Sequence, residues 1–220
     1  VEIAATAEAG LLEVVTNGAS VVIKPDVLDF GGLVVEVVRW WDPRLVVPRT
    51  TNEDLVAAID GLPHSVPGLD ARPLASALAD TSSGELIGAS MALLGRGPGL
   101  TPEGDDLLAG SLAATRTLGT ARGSSSALTM LDAAEDSLLA AAERRTTTFS
   151  AALIRSAIHG EVAAPAGGFL RALAGRGDVD VHHRDLLRVG HTSGLALAAG
   201  IVLGVRSLIA TVPTPNGGVQ

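Results

Sequence analysis

The spacing of the apolar residues changes once along the chain, near Pro48, and that change divides the fold into two parts of different kinds. Ahead of it the apolar residues come in short Val-rich runs, at 11–15, 21–23 and 33–38. Asn17-Gly18 and Phe30-Gly31-Gly32 separate these runs, and Asn-Gly between β-branched segments signals a tight hairpin. A small antiparallel sheet is expected there, ending near Trp40-Trp41-Asp42-Pro43.

Beyond Pro48 the period is helical. Thr51 or Asn52 caps a helix through Ile59, with Glu53 and Asp54 in its first turn. Residues 63–73, carrying Pro63, Pro67 and Pro73, read as a linker. Helices are then expected over 74–79, 84–94, 101–118, 127–145, 149–158, 168–174, 184–188 and 192–210. Thr101-Pro102 has the order of an N-cap followed by a first-turn proline, and His159-Gly160 supplies a C-terminal glycine. The expected class is α+β: a β-rich part over 1–50, a larger mainly helical domain over 51–210, and a flexible Pro- and Gly-rich tail over 211–220. Composition agrees, since the apolar share is mostly Ala, Leu and Val, with two Trp, three Phe and no Tyr. Small aliphatic side chains suit closely packed helices.

The net charge of −8, without a basic run or an aromatic series, argues against nucleic acid as a partner. A small anion held by backbone N–H groups remains compatible with that charge. The chain has no cysteine, so thiolate chemistry and disulfides are excluded. The longest uninterrupted apolar stretch, 195–205, is too short to span a bilayer and is followed by Arg206. A cytoplasmic protein with no membrane partner is therefore expected.

One segment stands apart: Gly95-Arg-Gly-Pro-Gly-Leu-Thr-Pro-Glu-Gly-Asp-Asp106. Gly97 and Gly99 permit positive φ and close approach, while Pro98 and Pro102 stiffen the backbone. The loop leads into a helix start, whose N–H groups favour an anion. It lacks the Gly-Lys-Ser/Thr of a Walker loop, and the residues before it look helical, unlike those before a dinucleotide fingerprint. Gly-Pro-Gly alone also fits an ordinary helix–loop–helix turn. Asp105 and Asp106 beside it suit holding a cation, positioning an amide or accepting a proton.

Two further segments have suitable chemistry. Arg144-Arg145-Thr-Thr-Thr-Phe-Ser150 gathers guanidinium and hydroxyl groups fit for a carboxylate or phosphate, or for a helix end followed by a cap. Val189-Gly-His-Thr-Ser-Gly194 places His191 and Ser193 in a glycine-flanked turn, which equally suits a half-buried capping segment. The hydrolase elbow is absent, and one histidine without a spaced partner is weak for a metal. His182 and His183 precede a charged stretch and read as surface residues.

In order, these segments resemble one family. Residues 95–110, the block from Thr147 to Glu161, and Gly190-His-Thr-Ser-Gly194 with Ala199-Gly200 are similar to the signatures of the AllH-type subunit of oxamate carbamoyltransferase. Trp41-Asp-Pro-Arg44 extends the likeness weakly. The resemblance implies carbamoyl transfer between oxalurate and phosphate on one side and oxamate and carbamoyl phosphate on the other, in allantoin and purine breakdown. It also implies a multisubunit transferase with other carbamoyltransferase subunits as partners. On that reading Gly97, Gly99 and Leu100 offer N–H groups to the small anion (carbamoyl phosphate, oxamate or oxalurate). Thr101, Thr147, Ser150 and Ser193 add hydroxyl contacts, and Asp106, His191 and Asp105 are the catalytic candidates. No metal and no cofactor are expected, Mg²⁺ being the one ion the acidic pair suits. The alternatives are a non-catalytic assembly or regulatory subunit, and a stand-alone metal-dependent enzyme built on Asp105, Asp106 and His191. Glu103, where the family pattern suggests a small residue, and Ala196, where it suggests an acidic one, depart from the resemblance.

Overall fold

The computed structural model describes residues 20–24, 26–30, 33–37 and 44–211. The run at 11–15, the Asn17-Gly18 hairpin, the Gly31-Gly32 break, Trp40 to Pro43 and the tail beyond Thr211 lie outside the described residues. The chain divides into two compact units, Val1–Pro43 and Arg44–Gln220. The class is α+β.

In the first unit, β1 (Val22–Ile23), β2 (Val27–Asp29) and β3 (Val34–Glu36) form an antiparallel meander. Val22 stands opposite Asp29, and Leu28 opposite Val35. Leu28, at the centre of the middle strand, is buried, while Val22, Ile23 and Val34 are exposed.

The second unit holds α1 (Asn52–Ala58), α2 (Arg72–Ala79), α3 (Ser83–Leu93), α4 (Glu103–Arg122), α5 (Ser125–Arg145), α6 (Thr148–Ile158), α7 (Ala164–Leu173), α8 (Val179–Leu187) and α9 (Ser193–Ala210). Local chemistry explains most of these boundaries. Thr51 accepts the Asp54 N–H while Asp54 accepts back from the Thr51 N–H, a reciprocal capping box. Ser82 caps α3, and Gly123, in the left-handed region, ends α4 four residues later than the sequence suggests. Two helices, α7 and α8, begin four and five residues earlier than expected. Pro165 in the first turn opens α7, and the Asp178 carboxylate accepts the Val181 N–H to open α8.

α4 and α9 form the centre. Nearly every residue of α4 from Gly104 to Gly119 is buried, as is most of α9. Their backbones meet along a glycine seam. A Cβ on Gly110 would overlap the Leu197 carbonyl oxygen, one on Gly200 the Leu107 oxygen, and one on Gly204 would sit 2.6 Å from the Ser111 oxygen. Dispersion contacts between two such closely apposed backbones are dense. Leu107, Leu108, Leu112 and Leu118 of α4 and Ile201, Val202 and Val205 of α9 are buried.

By length and composition, α9 is the one described helix apolar enough to cross a membrane; 67% of it is buried against other helices. It matches the helix expected over 192–210, and it is longer than the uninterrupted apolar stretch at 195–205 because it continues through Arg206. His182 and His183 are also less exposed than the sequence suggests. His182 packs where a Cβ on Gly168 or Gly177 would meet its ring, and His183 lies 5.3 Å from the Phe169 ring. Burial pushes the His183 pKa down, against the opposing pull of Asp180.

Candidate functional site

The glycine loop, residues 94–102, joins α3 to α4 and is fastened at four points. Its entry is held by Asp105, whose Oδ1 accepts the Gly95 N–H at 2.8 Å and whose Oδ2 accepts the Thr146 hydroxyl. Asp105 therefore ties the loop to the end of α5, and a Cβ on Gly95 would collide with the Arg145 carbonyl oxygen there. Next, the Arg96 carbonyl accepts the Gly104 N–H at 2.9 Å, so the loop caps part of the α4 N-terminus from within. The third fastening is at Leu100, whose carbonyl accepts the Thr147 hydroxyl at 2.7 Å and the Ser150 hydroxyl at 3.5 Å. Thr147 simultaneously caps α6 by accepting the Ser150 N–H at 3.0 Å. The last is the pair Thr101 Oγ1 and Ser193 Oγ, 2.8 Å apart, which joins the loop exit to the start of α9.

This geometry explains the glycines. Gly95, Gly97 and Gly99 have φ of 74°, 115° and 93°, a region L side chains rarely adopt. A Cβ on Gly97 would also sit 2.9 Å from the Glu103 nitrogen. Among the described residues, the N–H groups of Gly97, Gly99 and Leu100 donate to no other group of the chain. They lie on the exposed crest of the loop, where Leu100 is 66% exposed.

Beneath the loop lies Asp106, only 6% exposed. Its Oδ2 is buried without a hydrogen-bond partner. Burial raises its pKa to about 6, the Ser193 and Thr101 hydroxyls beside it pull the value back, and the Asp105 and Glu103 charges raise it further. A carboxyl poised near neutrality, with an unmet oxygen, is suited to taking or giving a proton or to accepting an amide N–H.

The structure thus brings Gly97, Gly99, Leu100, Thr101, Thr147, Ser150, Ser193, Asp105 and Asp106 to one locality. His191 is exposed on the turn before α9, two residues from Ser193. It is not the half-buried capping residue that its flanking glycines suggest. Thr101 is not the side-chain cap of α4: Pro102 occupies the N-cap position, and the Thr101 hydroxyl is engaged with Ser193. Nor does Ser193 or Thr192 cap α9 through its side chain.

Sequence reasoning passed over two groups. Thr146 is the least conspicuous of its three-threonine run, yet its hydroxyl anchors Asp105. Gly104 packs where a Cβ would overlap the Leu93 carbonyl oxygen, and a glycine in a helix's first turn is the signal that marks it. Among the described residues, no three His, Asp or Glu side chains are grouped to hold a metal ion. A cleft of about 240 Å³ lies elsewhere, lined by Val56, Ile59, Asp60, Arg206, Ile209 and Ala210. It sits by the C-terminal end of α9, away from the loop, and holds none of the hydroxyl or glycine groups described above.

Asp105→Ala is expected to destabilise the chain by about 3 kcal/mol, because it strands the Gly95 N–H and frees Thr146. Urea unfolding checks this. Hydrogen exchange should show faster exchange at Gly95 and Arg96 than at the middle of α4.

A family model for the oxamate carbamoyltransferase subunit AllH matches residues 93–205, just over half of the chain. The match begins at the last residue of α3 and reaches well into α9, so it takes in the loop and the elements that fasten it. No solved structure matches the chain.

Proposed function

The chain belongs to the family of the oxamate carbamoyltransferase subunit AllH, and from that premise we propose that it binds a small planar anion on the glycine loop and handles the proton of carbamoyl transfer through Asp106. The observation carrying the reading is the buried Asp106 Oδ2, left without a partner directly below a loop with three free N–H groups. In the direction that consumes oxalurate, a phosphate oxygen attacks the carbamoyl carbon and the bond to the oxamate nitrogen breaks. The leaving nitrogen then takes a proton, which Asp106 supplies. In reverse, Asp106 accepts it as the amide nitrogen attacks and phosphate departs. A pKa near 6 suits both directions.

The N–H groups of Gly97, Gly99 and Leu100 would hold phosphate or carboxylate oxygens, stabilising charge that grows during transfer. Thr101 adds a hydroxyl at the loop exit. Thr147 and Ser150 act through Leu100, whose carbonyl they hold so that its N–H faces outward. Asp105 keeps the loop entry in place, and His191 stands at the exposed side to orient the amide or pass its proton to solvent. The same reading assigns the chain to allantoin breakdown in the cytoplasm, beside other carbamoyltransferase subunits.

Thermal unfolding against phosphate, carbamoyl phosphate, oxamate and oxalurate, each with and without Mg²⁺, tests this. A ligand at about a hundred times its Kd stabilises by about 2.7 kcal/mol. The expected result is a selective shift that Asp106→Ala diminishes. A shift that needs Mg²⁺ would point to metal use at Asp106. No shift with any ligand, on the chain alone or with its partner subunits, would leave an assembly role.

A further inference from the structure

A hydroxyl residue at a helix start ordinarily serves as its cap. Neither Thr192, at the N-cap of α9, nor Ser193, the first helical residue, does so, and the Ser193 hydroxyl lies 2.8 Å from Thr101 Oγ1. We infer that Ser193 is a positioning residue acting through Asp106, holding the buried carboxyl in one orientation with Oδ2 left for the substrate. The inference rests on the reading of Asp106 as the proton-handling group.

Three features carry it. The first is the hydroxyl pair itself. Two hydroxyls own two protons; one bridges the Thr101 and Ser193 oxygens, which leaves one to donate to the carboxylate beside them. When the carboxyl is protonated the chain can reverse, with the Asp106 O–H donating and the hydroxyls turning. The pair thus serves both charge states without moving a heavy atom.

The second is the placement of Ser193. Gly194 follows it, and a Cβ there would overlap the Leu186 carbonyl oxygen, while the Gly194 N–H reaches the Val189 oxygen at 2.8 Å. The start of α9 is therefore pinned to the end of α8. Farther along, Gly200 packs on the backbone of Leu107, the residue after Asp106. Ser193 and Asp106 sit on two helices whose register that contact fixes. Their relation is set by backbone packing, and a ligand is not needed to form it.

The third is the company of the carboxyl. Its charged neighbours are Asp105 and Glu103, both on α4, and both disfavour ionisation. The hydroxyls of Ser193 and Thr101 are the groups that favour it. Removing Ser193 takes away the larger of these two favourable contributions.

Infrared titration of the full chain tests the inference without a substrate. The difference between wild type and Asp106→Asn identifies the Asp106 carboxyl band. Ser193→Ala is expected to raise its midpoint by about one pH unit, a tenfold change in ionisation constant. Thr101→Val should move it the same way by less, and Ser193→Thr, which keeps a hydroxyl, should largely restore it. In the assembled enzyme, Ser193→Ala should shift the pH profile of kcat in the same direction with KM unchanged. An unmoved midpoint in Ser193→Ala together with a raised KM overturns the inference and makes Ser193 a substrate contact. A moved midpoint with full activity in Asp106→Asn supports the pairing while removing the catalytic reading of Asp106. The two failures are thus distinct.

Discussion

Asp106→Asn is expected to make the chain more stable at pH 7.5 while slowing the assembled enzyme at least about a hundredfold. The two effects have one cause. The carboxyl has an ordinary value of 3.8 when the chain is unfolded and about 6 when it is buried. Folding thus favours the protonated form. The stability this group contributes is complete below about pH 3.8 and is lost as pH rises through 6. Above that, folding must accommodate a buried charge, which costs about 3 kcal/mol at most. Asparagine carries no charge at any pH, so the variant escapes that cost, and a gain of about 1–3 kcal/mol follows. Urea unfolding of both proteins between pH 3.5 and 7.5 reads it directly. The gap should open as pH rises and close below pH 4. A variant less stable than wild type at pH 7.5 would mean that the carboxylate is fully satisfied in the folded chain, and the proton-handling role would fall with that result.

The second large effect belongs to the seam. Gly200→Ala is expected to destabilise by about 3 kcal/mol or more, because its Cβ would overlap the Leu107 carbonyl oxygen and rigid backbone must give way on both helices. Loss of helical signal on heating should move down by about 6–12 °C for a chain of this size. Gly88→Ala is the contrasting change. Gly88 is exposed in the middle of α3 with nothing near its missing Cβ, so alanine should stabilise by about 0.5–1 kcal/mol through helix propensity. Equal responses at the two glycines would mean that the seam is looser than its geometry implies.

Much of the fold could be read from the sequence because it is written locally. Thr51 with Asp54, Ser82 with Glu85, and Gly123 all mark helix ends through groups within a few residues of one another. The antiparallel sheet followed from the Val-rich runs and the breaks between them: β1 and β3 sit within the runs at 21–23 and 33–38, whereas β2, the middle strand at Val27–Asp29, falls between them and was not anticipated. Boundaries were missed where the deciding contact lies far away. Thr101 has the local pattern of a cap, but its hydroxyl finds Ser193, 92 residues on. His182 lies in a polar stretch, yet glycines 168 and 177 leave a recess that its ring fills.

The same distinction holds for the site. Its glycine loop was conspicuous because positive φ and close approach leave glycine as the residue of choice. The roles within it were not legible. Asp105 and Asp106 are adjacent and chemically identical, and in a sequence they are interchangeable. A single residue step along α4 separates their fates: Asp105 has both oxygens engaged by Gly95 and Thr146, whereas Asp106 is buried with one oxygen unmet. That difference comes from long-range packing of α4 against α5 and α9, which no short window contains.

The pairing of α4 with α9 also governs how this protein comes off the ribosome. The two helices begin about 90 residues apart, and α9 is the last described helix to be made. Until it emerges, α4 has been synthesised with its broadest apolar face uncovered and its glycines facing no partner. The growing chain is then at its stickiest, and a chaperone that recognises exposed leucine and alanine has its longest opportunity. The centre can close only once α9 has been made, and the same packing brings Ser193 to the loop exit. A nascent chain that stalls before α9 would therefore lack the α4–α9 seam and the Ser193 contact that holds the loop exit.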